Sequence, residues 1–350
     1  MLNVGFVLIL GLGLAALLAW GIRTLPGERW QMLAVVPLAK SGDGAWRGLN
    51  LTFYGFFSAS GMTFGFAVLL LLLSSIKVPL TISVGLLLAM VLICVPASRV
   101  IAGIVERKSN TFTVAGAVFV ATLLFPWLVT AADRLASRVL HQRVPALPVF
   151  AAAAVSYVLG ESIGRLACLS FGCCYGMPLR QARPLFVRLF RKHNLVIEGA
   201  TKKACYASGF SGEPLLPVQA LTSTVFAFAG LVGLALFLDQ RFLLAALVPL
   251  VASLGWRAFS EQLRADYRGS SKWSIYQLMS VACLVYVSIF LALQPAFQSI
   301  TPDVVAALRS LASVPVLIGL QMLWIALFLY YGKSRVTSST LSFHVVAGRI

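Results

Sequence analysis

The chain reads as an all-α, polytopic integral membrane helix bundle with about nine transmembrane helices. Three observations carry that expectation. Of its 350 residues, 59% are hydrophobic and 11% are charged, where a soluble domain carries about 25% charged residues. Mean hydropathy is +0.91, which leaves too few polar side chains to clothe a water-facing surface. The apolar residues gather in runs of roughly twenty, the length at which a helix crosses a bilayer core. They lack the two-residue alternation of a membrane barrel, and within hydrocarbon only helices and closed barrels satisfy every backbone group.

In chain order, the sequence predicts spans near residues 2–20, 51–73, 80–100, 113–130, 147–169, 218–238, 242–259, 275–293 and 314–331. The first is preceded by no Lys or Arg and is longer than the apolar core of a cleavable signal peptide, so it is read as a retained helix. The connection 177–216 is the longest and the most basic. Within it, RPLFVRLFRKHNL places Leu185, Phe186, Leu189 and Phe190 on one face and Arg183, Arg188, Arg191 and Lys192 elsewhere. That pattern predicts an amphipathic helix lying in the membrane interface. The organisation expected is an N-terminal helix with a basic loop (1–50), a membrane core (51–293) carrying the interfacial loop, and a C-terminal helix and tail (294–350).

Lys and Arg number 28 against 11 acids, a formal charge of +17. The basic residues sit between apolar spans, where they suit anionic lipid head groups and topology signals. Nucleic-acid binding is therefore not expected. The six cysteines and the scattered His141, His193 and His344 show no CxxC and no zinc-type spacing, so neither a metal nor a cofactor is expected. Cys94 and Cys283 fall inside apolar runs and read as small core residues. Cys168, Cys173 and Cys174 crowd one apolar helix end. They are read as packing residues, with Arg165 one turn from Cys168 as the one neighbour that favours a thiolate.

Ionisable residues at the ends of membrane spans are expensive and point to function. Glu161 and Arg165 stand four apart at the end of the fifth span. Arg257 and Glu261 stand four apart at the end of the seventh, followed by Arg264 and Asp266. Each pair is expected to share a helix face. Arginine forks match phosphate oxygens, so a phospholipid head group is the natural guest.

At these residues the sequence resembles a known family. Residues 164–176, GRLACLSFGCCYG, are similar to the Gly-Arg-x-Gly-Asn-Phe-x-Asn-Gly-Glu-x-x-Gly signature of the prolipoprotein diacylglyceryl transferases. Pro217-Val218-Gln219 resembles that family's Pro-x-Gln. Residues 257–266 resemble its Arg-x-x-x-Glu-x-x-Arg-x-Asp, and residues 274–280, with Gln277, its Ser-x-x-Gln-x-x-Ser. Phe53-Tyr54-Gly55 is like its aromatic-Tyr-Gly. The resemblance runs from about residue 51 to 293, so the first and last spans look like additions.

The resemblance implies a transferase of the bacterial cytoplasmic (inner) membrane. Its donor would be phosphatidylglycerol, its acceptor the lipobox cysteine of a prolipoprotein, and its leaving group glycerol phosphate. It implies catalytic roles for Arg165 and Arg257 in holding the phosphate and for Glu261 in orienting Arg257 or accepting a proton. Tyr54, Arg165, Gly176 and Arg264 would contribute to lipid binding. The departures are as specific. The stretch 111–116, TFTVAG, has no histidine where the family carries one, Cys168 and Phe171 replace the signature asparagines, and Cys173 replaces its glutamate. An alternative therefore stands beside the transferase: a noncatalytic phospholipid-binding membrane protein that keeps the phosphate site. A transporter would call for paired halves with broken helices, which the sequence lacks.

Orientation is a point of conflict. With Arg165 and Arg257 set aside, twenty basic residues follow odd-numbered spans and six follow even-numbered ones. The positive-inside rule places the first set, and with it the long loop, in the cytoplasm. The resemblance implies that the signature and the long loop lie outside, and that orientation is the expectation adopted.

Overall fold

The computed structural model describes residues 2–42, 44–106, 113–266, 273–293 and 300–349. The histidine-lacking stretch at Thr111 and Phe112, and Arg107, Lys108, Arg268 and Lys272 of the charge comparison, lie outside the described residues. The helices are α1 (Leu2–Thr24), α2 (Phe53–Ser75), α3 (Leu80–Glu106), α4 (Val114–Val139), α5 (Ala146–Phe171), α6 (Pro184–Phe190), α7 (Lys203–Ser208), α8 (Val218–Leu238), α9 (Phe242–Ser260), α10 (Ile275–Ala292), α11 (Val304–Leu311) and α12 (Val314–Tyr331). Among the described residues, nine of these are long and apolar enough to cross a membrane. This is the all-α membrane bundle that the apolar runs predict.

Helix α5 is the axis of the bundle. Its apolar stretch is 72% buried, against 6% for α12 and 17% for α1. It packs against α2, α8 and α9. A helix apolar on all sides belongs in such a position. The approach of α2 to α5 depends on glycine: a Cβ on Gly61 would lie 2.6 Å from Gly164 N and 2.7 Å from Gly160 O, and one on Gly160 would lie 2.8 Å from Gly61 O. Gly61 and Gly65 on α2 face Gly160 on α5, a small-residue seam of the kind that lets membrane helices touch backbone to backbone.

The first fifty residues hold more than a helix and a basic loop. Strands β1 (Met32–Lys40) and β2 (Trp46–Thr52) form an antiparallel hairpin. Two short strands in the long loop are β3 (Leu195–Val196) and β4 (Pro214–Leu215), and β5 (Ser339–Leu341) from the C-terminal tail pairs on β2. Asn50 Nδ2 donates to Thr337 Oγ1 at 3.0 Å, and Ser339 Oγ donates to Asn50 Oδ1 at 2.5 Å. The N- and C-terminal segments thus meet on the same edge of α2, where Trp324 Nε1 of α12 donates to Ser60 Oγ at 3.1 Å.

The long loop is folded rather than solvated. Leu195, Ile197, Ala204, Cys205 and Leu215 share an apolar cluster with Leu25 of the α1 end and Leu166 and Leu169 of α5. The buried Lys202 ties the loop down: its Nζ donates to Leu25 O at 2.7 Å and Pro26 O at 2.8 Å, just beyond the C-terminus of α1, where a helix dipole favours a cation. The amphipathic segment is helical as α6, but its apolar residues divide between two faces. Phe186 and Phe190 pack on Leu216, Val218 and Leu263, while Leu185 and Leu189 are exposed alongside exposed Arg183, Arg188, Arg191 and Lys192.

Candidate functional site

The fold brings the ends of α5 and α9 together. Helical spacing aligns Tyr157, Glu161 and Arg165 on one stripe of α5. On α9 the last turn carries Arg257. The helix then stops at Ser260, and a 3-10 turn, Glu261–Leu263, leads to Arg264.

Glu161 lies between two arginines. Its Oε1 is 2.5 Å from Arg165 Nη2 and 3.0 Å from Arg257 Nη2. Arg257 also donates through Nε and Nη2 to Tyr157 Oη, at 3.2 and 2.7 Å. Its guanidinium stacks 5.7 Å from the Phe226 ring centroid. The side chains of Glu161, Arg165 and Arg257 are only 9–13% exposed.

The expected Arg257–Glu261 partnership is corrected here. Glu261 instead pairs with Arg264, whose Nη1 is 3.5 Å from its Oε1. Arg264 is gripped by Asp266 through two parallel bonds of 2.7 and 2.6 Å. Burial works against the Arg264 charge, but Cys174, Asp266 and Glu261 outweigh it and hold this guanidinium well above its ordinary pKa. Arg165, Arg257 and Arg264 against Glu161, Glu261 and Asp266 make a buried, nearly neutral polar cluster.

A pocket opens between these elements, with Arg165, Cys174, Gln219, Arg257, Glu261 and Arg264 in its wall. Two buried atoms of that wall have no hydrogen-bond partner among the described residues: the donor Arg165 Nε and the acceptor Gln219 Oε1. Buried polar groups are ordinarily satisfied. A guest offering both acceptor oxygens and a hydroxyl donor would satisfy both atoms.

The other expected lipid-binding residues sit differently. Arg264 is in the pocket wall, but neither Gly176 nor Tyr54 is among the pocket-lining residues. Gly176 forms a β-bridge with Arg264, and a Cβ there would lie 2.3 Å from Leu216 O. Its role is to let three backbone segments pass at close quarters. Tyr54 packs edge-on to Phe171, with ring centroids 5.7 Å apart. Gln277, from the Ser-x-x-Gln motif, closes a capping box with Ser274 at the start of α10 and donates to Ala258 O at 2.9 Å.

Tyr157 was not singled out by sequence reasoning, although its place four residues before Glu161 was a usable signal. Nor was Gln219 assigned a role; its Nε2 donates to Cys173 O at 2.9 Å, which aims the side chain at the pocket.

The three cysteines of the signature segment converge. Their sulfurs all lie within 4.8 Å of one another, with Cys168 Sγ to Cys174 Sγ at 3.9 Å and Arg165 Nη1 at 4.0 Å from Cys168 Sγ. Hydrogen bonding to Cys168 and Cys174, with burial added, pushes the Cys173 thiol well above its ordinary pKa. It is protonated at neutral pH, the unreactive form.

Compared with known families, residues 45–293 match the family model described as prolipoprotein diacylglyceryl transferase. A search of curated proteins found no match.

Proposed function

The chain belongs to the prolipoprotein diacylglyceryl transferase family, and from that premise we propose that it transfers a diacylglyceryl group from phosphatidylglycerol to a cysteine thiol. The acceptor is the lipobox cysteine of a prolipoprotein or a related thiol, and the setting is a bacterial cytoplasmic membrane. A multi-pass membrane protein of this family works on lipid and lipoprotein substrates. The finer assignments rest on the site's chemistry.

The observation that carries the reading is that Glu161 is held between Arg165 and Arg257, and that both arginines line the pocket. A guanidinium has five N–H donors. Glu161 accepts through one nitrogen of each arginine and fixes the direction of both forks, leaving further donors for phosphate oxygens. In the proposed step the acceptor sulfur forms a bond to the glyceryl carbon that bears the phosphate ester. The carbon–oxygen bond breaks, and glycerol phosphate departs with the electron pair. Arg165 and Arg257 stabilise the charge that develops on that leaving group, the electrostatic contribution that usually dominates. Glu261 accepts the thiol proton as general base. Gln219 Oε1 receives a hydroxyl hydrogen from the head-group glycerol.

A second reading, phospholipid binding without turnover, is favoured by Cys173. It stands where the signature has glutamate, and its protonated thiol offers no base. Complementation of a strain depleted of its own diacylglyceryl transferase distinguishes the two. Rescue by the wild-type chain and failure of Arg257→Ala supports transfer. Failure of the wild-type chain, with phosphatidylglycerol still bound by the purified protein, supports the binding protein.

A further inference from the structure

The three-cysteine cluster has no role in the transfer chemistry, yet its geometry is specific. Helix α5 ends in the left-handed Gly172 (φ 70°), and Cys174 is also left-handed (φ 57°). Gly172 N and Cys173 N both donate to Cys168 O, at 2.9 and 3.2 Å. The chain therefore reverses at once, returning Cys173 and Cys174 to the side chain of Cys168. A non-glycine residue in the left-handed region is strained by roughly 1–2 kcal/mol. Here that conformation puts three sulfurs within 4.8 Å of one another.

We propose that Cys168, Cys173 and Cys174 form a three-coordinate thiolate site for a soft monovalent metal ion of the copper(I) class. For metal–sulfur bonds of about 2.3 Å, a trigonal plane separates the sulfurs by about 4.0 Å, and Cys168 and Cys174 stand 3.9 Å apart. All-sulfur ligation selects soft ions. Among the described residues no histidine or carboxylate joins the cluster, as the fourth ligand of a closed zinc site would. Three thiolates with one monovalent cation leave a net negative charge. Arg165, 4.0 Å from Cys168 Sγ, and Arg264, which interacts electrostatically with Cys174, compensate it. The sulfurs of Cys168 and Cys173 are buried and that of Cys174 is partly open, and Cys174 also lines the pocket, which gives the ion a route in. Binding releases the thiol protons, so affinity falls as pH is lowered. The site does not depend on the transferase reading; the two share a wall at Cys174 and Arg165.

The test uses the full-length protein, reduced and anaerobic in detergent, titrated with copper(I) in competition with a colorimetric copper(I) chelator. One ion per chain is expected, bound by three sulfurs at about 2.3 Å in X-ray absorption. Cys168→Ser, Cys173→Ser and Cys174→Ser should each weaken binding by more than about 10-fold, since losing even an outer-shell partner costs about 10- to 100-fold, while joint replacement of Cys94, Cys205 and Cys283 by serine leaves it unchanged. Alkylation mapping of the wild-type protein needs no variant: bound copper(I) should protect these three cysteines and no others. The proposal is overturned by no stoichiometric binding, by binding that survives loss of any one of the three, or by protection at other cysteines. A Cys168–Cys174 disulfide forming in air, with no copper(I) bound by the reduced protein, would overturn it in favour of a redox pair.

Discussion

Arg257 on α9 reaches across the bundle to Glu161 on α5, with Nη2 3.0 Å from Oε1, rather than to Glu261 four residues further along its own chain. Because Arg165 meets the same oxygen, one carboxylate positions both arginines.

Glu161→Gln should be more damaging than Glu261→Gln. Removing one partner of a buried ion pair strands the other charge, at about 3–5 kcal/mol. Glu161 serves two partners, whereas Arg264 keeps its bidentate Asp266 when Glu261 is lost. Thermal unfolding in detergent reads the difference. A double-mutant cycle should give a coupling of roughly 0.5–3 kcal/mol between Arg257 and Glu161 and little between Arg257 and Glu261. The reverse order would mean that the pairing has been misassigned.

Gly61→Ala should destabilise the bundle, because its Cβ meets backbone atoms of α5 at 2.6–2.9 Å and overpacking costs about 1–3 kcal/mol. Gly164→Ala is the matched control. It lies on the same pair of helices, but its Cβ meets nothing within 4 Å, so the usual helix propensity of alanine should leave it neutral or slightly stabilising. Equal unfolding temperatures for the two variants would contradict the seam.

Lys202 makes stability depend on pH in a definite direction. Burial lowers its pKa to about 8, below the ordinary lysine value of about 10.4. Between those values the unfolded chain binds more protons than the folded one, so stability rises as pH increases from about 8 to about 10. The gain is at most about 3 kcal/mol and is absent below pH 8. Lys202→Met should remove this rise, as measured by chemical denaturation across the range. A wild-type curve that falls over that interval would contradict the assignment.

The apolar spans were legible because length and hydropathy alone decide what crosses a bilayer, and α5, α8, α9 and α10 fall close to where the runs predict. The family motifs made Arg165, Arg257 and Arg264 legible too. The Arg257–Glu261 pair was misjudged because four-residue spacing presumes a continuing helix, and α9 stops at Ser260, turning Glu261 out of register. The joining of β5 to the β1–β2 hairpin was invisible because it brings Asn50 to Thr337 and Ser339, nearly 290 residues away. The convergence of the three cysteines required two left-handed residues in three, at Gly172 and Cys174, and only the glycine signals that in sequence.

The central claim is that Arg165 and Arg257 hold the phosphate of an anionic phospholipid. Binding of phosphatidylglycerol to the purified protein in detergent, compared across wild type, Arg165→Ala and Arg257→Ala, tests it most directly. Charged hydrogen bonds contribute about 1.5–3 kcal/mol each, so each variant should bind roughly 10- to 150-fold more weakly. Lysine at either position should restore only part of the loss, because it lacks the fork. Unchanged affinity in both alanine variants would contradict the account.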